Sequence, residues 1–385
     1  MISIPDCMKV QFERISNGGK VRVVISRAPG RVEVLGNHTD YNGGMVLSAT
    51  IDRHVWTVAS TSDDVRIHSV DYDQSESFSS KGLLPSGSRR WYDYVKGVYW
   101  ALEKRGLEAV GIDAAIHGDV PQGAGLSSSA ALEVSVANAL VNLSGLSLLP
   151  KEIALVAFDA ERLYCGVSCG IMDQFTAQLG KADSLLAIYC STYVTEDIPF
   201  NTDAILVITD SMISRAAGEA LNQRMSECQT ALKTLRDAGW NISNLSEIRP
   251  EQLTDSDSLL EDRLAKRVRH VVLENQRVSL GIQALRDGRF KDFGQIMYQS
   301  HKSSRDLYEV SHPRLDFLVE TARKLKGVLG SRMTGAGFGG AVISVVATKH
   351  VDSFAHSIAS AYEKETGLVP KVLPCRISGG VRTEP

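Results

Sequence analysis

Residues 120–133 read Val-Pro-Gln-Gly-Ala-Gly-Leu-Ser-Ser-Ser-Ala-Ala-Leu-Glu, and few folds accommodate such a segment. It has to leave a strand, turn on glycine and enter a helix. The apolar run 112–120 has strand character and ends at Pro121. Gly123 and Gly125 let the backbone turn sharply and approach a ligand closely. Ser127, Ser128 and Ser129 open a helix whose apolar side includes Ala130, Ala131, Val134 and Leu140. A helix start carries unpaired N–H groups and a partial positive charge. Preceded by glycines and hydroxyls, it is a seat for phosphate, and the hydroxyls can face a metal ion that accompanies a nucleotide. A strand–turn–helix with serine caps and no ligand satisfies the same pattern.

The rest of the chain narrows the field. Its 385 residues allow two or three domains with a well-buried core. A net charge of −3 without a strong basic block argues against nucleic acid or an anionic membrane as partner. Cys165 and Cys169 lie close together, but no second pair at zinc-type spacing joins them. They and Cys7, Cys190, Cys228 and Cys375 read as reduced thiols of a cytoplasmic protein. Residues 1–9 lack the apolar core of a signal peptide, and no run of about 18 apolar residues predicts a membrane span.

The pattern along the chain predicts strands at 21–26, 31–35, 45–50, 51–60 and 65–70, with Ala28-Pro29-Gly30 breaking the first from the second. A helix is expected over 91–105, where Tyr94, Val98 and Leu102 share a face, and another over 151–164. Strands follow at 184–189 and 204–209. Beyond about 212 the character turns helical: 221–238, 262–286, 290–304 and 313–326. A glycine-rich loop at 335–340 then leads to a strand at 341–346, a helix at 351–366 and a strand at 371–377. Lys266, Arg267, Arg269 and His270 read as a solvated helix face, because the cluster is short and lacks interleaved aromatics. Two mixed α+β domains are expected, residues 1–200 and 201–385, with the site between them.

Two further clusters carry chemistry. Arg31-Val-Glu-Val-Leu-Gly-Asn37-His38-Thr39-Asp40-Tyr41-Asn42-Gly43-Gly44 is rich in donors and acceptors and suits a polyhydroxylated ligand. A metal held by His38 and Asp40, or a plain polar turn, are the other readings. Residues 161–174 place Glu161 at the end of a helical pattern and Asp173 beyond Gly166 and Gly170. Glu161 suits Mg²⁺, an oxygen-seeking ion. Asp173 suits the acceptance of a proton from an attacking hydroxyl. Ion-paired or capping carboxylates satisfy both positions equally. The loop Met333-Thr-Gly-Ala-Gly-Phe-Gly-Gly340 is expected chiefly to pack against the other domain. No G-x-x-x-x-G-K-[ST] segment is present, which excludes a P-loop enzyme.

Together and in this order, the three clusters resemble the GHMP kinases and, within them, the galactokinases. Residues 31–44 resemble that family's motif Gly-Arg-Val-Asn-Leu-Ile-Gly-Glu-His-Thr-Asp-Tyr-Asn-x-Gly. Residues 121–131 resemble its Pro-x-Gly-x-Gly-Leu-Ser-Ser-Ser-Ala, and residues 333–340 its third motif. Trp91-Tyr-Asp-Tyr-Val-Lys-Gly-Val, Cys169-Gly-Ile-Met-Asp-Gln174 and Lys266-Arg-Val-Arg-His270 are further matches. The resemblance implies a ribosomal protein S5 domain 2-like N-terminal domain and a ferredoxin-like C-terminal domain. It implies ATP as co-substrate, Mg²⁺, and an aldohexose phosphorylated at C1. Asp173 and Arg31 match the catalytic pair. Asn37, His38, Asp40, Gly170 and Asp173 match the sugar site. Trp91 matches an aromatic near the adenine, and Gly123, Ala124, Gly125, Leu126, Ser127, Ser128 and Ser129 match the loop expected to line the phosphates. Ser128 or Ser129, with Glu161, match the metal site.

Two departures from the family pattern bear on the sugar. Asn37 stands where the family has Glu, and Leu221 falls where a sugar-contacting Tyr is usual. Galactose is the expected sugar, with N-acetylgalactosamine, galacturonate and arabinose as alternatives. A non-catalytic sugar and ATP sensor is the rival class, disfavoured because Ser129, Ala130, Asp173 and Arg31 are all present. The chain is expected to act as a monomer or weak homodimer.

Overall fold

The computed structural model describes residues 2–16, 21–85, 87–213 and 217–384. The N-terminal sheet contains β1 (Val23–Leu35), β2 (Met45–Ser62), β3 (Val65–Ser69), β4 (Gln74–Phe78), β5 (Gly111–Gly118), β6 (Ser184–Tyr189) and β7 (Val194–Pro199). The long β2 is shared: its last residues pair with β5 and its first with β6, both antiparallel. A second sheet has the order β11-β8-β10-β9, from β8 (Ala204–Asp210), β9 (Val328–Thr334), β10 (Ala341–Ala347) and β11 (Lys371–Cys375). A last strand, β12 (Arg382–Glu384), crosses back and pairs with β1.

The helices segregate in the same way. Those of the first part are α1 (Lys9–Ser16), α2 (Trp91–Lys104), α3 (Ser128–Leu143), α4 (Pro150–Asp159) and α5 (Met172–Leu179). Those of the second are α6 (Ala217–Asp237), α7 (Leu253–Ser258), α8 (Asp262–Arg286), α9 (Phe290–Asp306), α10 (Pro313–Lys324) and α11 (Val351–Thr366). α3 lies across β1 and β2 and is buried on nearly every side, so Ala130, Ala131, Val134, Ala137 and Leu140 have no exposure. Such a helix is held by its surroundings rather than by an amphipathic face. That fixes its N-terminus, which carries the serines. Among the described residues no helix is long and apolar enough to cross a membrane.

The structure corrects several expectations. Ala28-Pro29-Gly30 does not end a strand: β1 runs through it, with a register shift against β2 between Pro29 and Arg31. A proline is tolerated at such a bulge because the ladder hydrogen bond is already interrupted. Gly30 is there for contact, since a Cβ would lie 2.9 Å from the Leu126 carbonyl oxygen. The neighbouring Arg31 N–H donates to that oxygen at 3.0 Å. The apparent strand breaker is therefore where β1 touches the glycine–serine loop. The strands expected at 45–50 and 51–60 are likewise one strand, β2.

The helix expected over 151–164 changes to a π-turn at Ala160–Tyr164. One extra residue per turn rotates Glu161 relative to a regular helix, a device that recurs at functional sites. The basic cluster on α8 is not uniformly solvated. Lys266 and Arg269 face outward, but Arg267 is 1% exposed and His270 fully buried. Positions 267, 270, 271 and 274 follow helical spacing along the inner face. Arg267 pairs there with Glu227 at 2.7 Å and Glu309 at 2.6 Å. The polar Gln-Ser-Glu-Ser-Phe of β4 gave no sequence signal because that strand is largely exposed.

Candidate active site

The glycine–serine loop, the first turn of α5 and the middle of β1 converge on one cleft of about 500 Å³. Gly123 and Gly125 adopt left-handed φ of 75° and 77°, and Ser127 does so too at 57°. A serine in that region is strained, and such strain persists where surrounding contacts demand it. Here the turn aims the Ser127 hydroxyl at Asp173, to which it donates a short hydrogen bond. Arg31 grips the same carboxylate in fork fashion, Nε donating to Oδ1 at 2.7 Å and Nη2 to Oδ2. Its Nη1 donates to the Gly125 carbonyl at 2.8 Å. The pair is largely buried, with side-chain exposures of 7% and 19%. A bidentate arginine fixes a carboxylate in orientation as well as charge.

Glu161 accepts from the Ser129 hydroxyl at 2.8 Å and from Gln174 at 2.5 Å. Burial, reinforced by nearby Asp173, pushes its carboxyl up to about 7. The buried Glu133, bonded to the same Gln174 side chain, is also pushed well above the usual carboxylate range, again mainly by burial. Glu161, Glu133 and Asp173 thus gather three carboxyl groups, with Arg31 acting on Glu161 and Asp173, a balance that a divalent cation would relieve. With the hydroxyls of Ser128 and Ser129 beside it, the donor set is all oxygen, as Mg²⁺ prefers. The described residues form no group of three or more His, Cys, Asp and Glu that would hold a metal unaided. Remaining ligands would have to come from phosphate oxygens and water.

A second cavity of about 350 Å³ adjoins the first and shares Gly123, Ser128 and Ser129 with it. Trp91, Tyr94, Tyr72 and Arg89 line it. Trp91 therefore lines a cavity that also touches the serine loop. Ala124 is fully buried beneath the loop rather than lining the cleft, whereas Leu126 reaches the lining.

His38, Asp40, Tyr41, Gly170, Leu221, Gly335 and Ala336 form the opposite wall. A Cβ on Gly170 would lie 1.7 Å from Asp40 Oδ2, so the glycine makes room for that carboxylate. Burial and then the neighbouring Glu33 push Asp40 up to about 7. His38 hydrogen-bonds the Tyr41 hydroxyl through Nδ1 at 2.8 Å and stacks on Tyr308. Its Nε2 is buried with no hydrogen-bond partner among the described residues. Burial holds the ring neutral, its pKa lowered to about 3. Of the third motif, Gly335 and Ala336 reach the cleft; the Phe338 N–H binds the Val310 carbonyl at 2.7 Å within the same half of the chain, and the contact with the first half is the Gly335 carbonyl, which accepts from Asn37 Nδ2 at 2.9 Å.

Asn37 does not face this wall. Its side chain has no exposure. Nδ2 donates to the Gly335 carbonyl at 2.9 Å and to Glu33 Oε2 at 3.3 Å, and Oδ1 accepts from Ser304 at 2.9 Å. The amide is spent on holding the turn, which corrects its expected place in the sugar pocket. Sequence reasoning passed over Glu33, which lines the cleft. The signal was available: position 33 is Glu where the family motif has Asn. It also missed the clamp from the second half of the chain. Buried Glu274 accepts from the Gly36 and Asn37 N–H groups at 3.0 and 3.3 Å. His270 contacts the Asn37 carbonyl at 2.9 Å.

Three family models match the sequence: GHMP kinases N terminal domain over 93–181, galactokinase galactose-binding signature over 11–61, and GHMP kinases C terminal over 282–364. A galactokinase of Roseiflexus sp. (strain RS-1) is 44% identical over 93% of this chain and 92% of its own. The chain belongs to the galactokinase family of GHMP kinases. A galactokinase of Clostridium perfringens (strain 13 / Type A) is 36% identical over 95% of this chain and 96% of its own. The solved structure of Lactococcus lactis galactokinase complexed with galactose superposes with a TM-score of 0.92 at 33% identity, covering 97% of this chain and 99% of that one. A mevalonate kinase shares the fold alone, with a TM-score of 0.67 at 19% identity over 92% and 99% of the two chains. The two-domain mixed architecture is therefore that of the GHMP kinases.

Proposed function

We infer that the protein transfers the terminal phosphoryl group of ATP to the anomeric hydroxyl of galactose, giving galactose 1-phosphate and ADP. The observation that carries this reading is the Arg31–Asp173 pair. It stands where the phosphate-type loop meets a wall of sugar-type donors and acceptors. The backbone of residues 123–129 and the start of α3 cradle the triphosphate. The base lies against Trp91. Glu161, with Ser128 or Ser129, holds Mg²⁺, which supplies charge neutralisation on the phosphates when bound. His38 and Asp40 orient the sugar, and Gly170 admits it by seating Asp40.

Asp173 receives the hydroxyl proton while the two-pronged grip of Arg31 holds the carboxylate in its orientation. Both Asp173 oxygens are already hydrogen-bonded. Orientation of the nucleophile is therefore its main contribution. Phosphoryl transfer passes through a loose transition state, so positioning and electrostatics outweigh a strong base. We place the division of the chain near residue 200, with β12 returning to the first part, and read the protein as a cytoplasmic monomer or weak homodimer. ADP release measured with galactose, N-acetylgalactosamine, galacturonate, arabinose and glucose, with and without Mg²⁺, tests the reading. Galactose should give the highest kcat/KM and only with Mg²⁺. Equal turnover without sugar, or preference for another sugar, would overturn it.

A further inference from the structure

The family motif has Asn at the third position after its glycine and Glu before the histidine. In this chain the two types are exchanged, as Glu33 and Asn37. The structure brings the two side chains into contact, Asn37 Nδ2 to Glu33 Oε2, although they stand four positions apart along a strand and its turn. One carboxylate and one amide therefore still occupy this corner, attached to opposite positions of the backbone.

Their surroundings divide the labour. Asn37 is completely enclosed, and both ends of its amide are satisfied by protein. Enclosed on every side, it does not reach the cleft. Glu33 stands on the same face of β1 as Arg31, two residues away, and lines the cleft with His38 and Asp40. Its Oε1 accepts from Arg332 Nη1 at 2.7 Å, which anchors the carboxylate to β9. Its Oε2 meets the long 3.3 Å contact from Asn37. A carboxylate oxygen has room for two donors, so Oε2 keeps acceptor capacity beside the sugar wall. A rigid, anchored, buried anion is suited to reading a hydroxyl that an analogue lacks.

We propose that Glu33 is the specificity-determining carboxylate of the sugar pocket, accepting a hydrogen bond from a galactose hydroxyl, while Asn37 fills the structural slot beside it. This rests on the galactokinase reading, deepening it by one residue. A charge-assisted hydrogen bond adds affinity, and an unmet buried acceptor penalises a sugar that lacks the hydroxyl.

The test compares Glu33→Gln and Glu33→Asp with wild type. Wild-type ADP release with galactose comes first, since its absence refutes the underlying activity rather than the role of Glu33. In Glu33→Gln the KM for galactose should rise roughly tenfold to a hundredfold, the loss of one charged hydrogen bond. The KM for MgATP should stay within about threefold of wild type, the spread of context for a remote site. Across a panel of monodeoxygalactoses, the variant should lose its penalty against one member and keep it against the others. Glu33→Asp retains the charge for Arg332 but withdraws it from the sugar, so it should fold and show the same galactose-specific KM increase. If Glu33→Gln does not fold, the galactose-induced rise in melting temperature of Glu33→Asp decides: a smaller rise than wild type supports the proposal. A lowered melting temperature with wild-type galactose KM and an unchanged deoxysugar profile would overturn it, leaving Glu33 as a counter-ion for Arg332.

Discussion

The two walls of the cleft are built on different principles. The phosphate wall is local: residues 123–129, a single strand–turn–helix, present almost all of it, and Asp173 and Arg31 close on it from two neighbouring elements. The sugar wall is assembled at long range. The turn at 36–40 is held by Glu274 and His270 of α8 and Ser304 of α9, and Glu33 just before it by Arg332 and Thr334 of β9. Residues up to about 300 positions apart must be in place before it exists. The lesson is that phosphate chemistry here depends on a preorganised backbone, whereas sugar selection depends on the docking of the second sheet and its helices. Damage to the first wall should show in turnover, and damage to the second in sugar affinity and stability.

The largest expected effect breaks the phosphate wall. Asp173→Ala should lower kcat by roughly 10²- to 10⁴-fold, with the galactose KM changed far less; near-normal turnover in steady-state kinetics would remove Asp173 from its role. Next, Gly170→Ala forces the Asp40 carboxylate out of its seat. The galactose KM should rise by about tenfold or more while the MgATP KM holds, because a charged hydrogen bond to the sugar is lost. If both constants moved together, the walls would not be separable.

Ser304→Ala attacks the clamp from a distance. It leaves the buried Asn37 oxygen without its donor and should cost about 1–3 kcal/mol of stability, read by denaturant unfolding, with a smaller rise in galactose KM. No loss of stability would mean that α9 does not support the turn.

The smallest effect is a pH dependence from Asp40. Its folded pKa, raised to about 7 by burial and then by Glu33, lies above the unfolded value of 3.8. Such a group contributes stability that is complete below about pH 4 and is lost as pH rises through about 7. The sugar-free protein should therefore lose stability over that interval, while galactose binding tightens as Asp40 ionises. Asp40→Asn should flatten both trends in melting curves taken across the range.

The same contrast explains what the sequence disclosed. The serine loop, α3, α8 and α11 were readable because local signals determine them: glycines at a turn, a serine-rich helix start, unbroken helical spacing. Asp173, Arg31 and Glu161 followed from motif order. The continuity of β1 was hidden because Pro29 and Gly30 look like breakers until Leu126 is seen behind them. The π-turn at Glu161 has no periodic signature over five residues. Arg267 and His270 looked solvated because their hydrogen-bond partners lie on α6, on α9 and in the loop after it, and at the turn of the other part. Glu33 and Asn37 changed roles for the same reason: which of them faces the ligand depends on Arg332, Gly335 and Ser304, about 300 residues downstream.

The most direct measurement is ³¹P NMR of the purified protein incubated with galactose and MgATP. The account predicts conversion of ATP to ADP with a new phosphomonoester whose phosphorus couples to the anomeric proton of galactose. ATP left intact, or a phosphorus coupled to any other sugar proton, would contradict it.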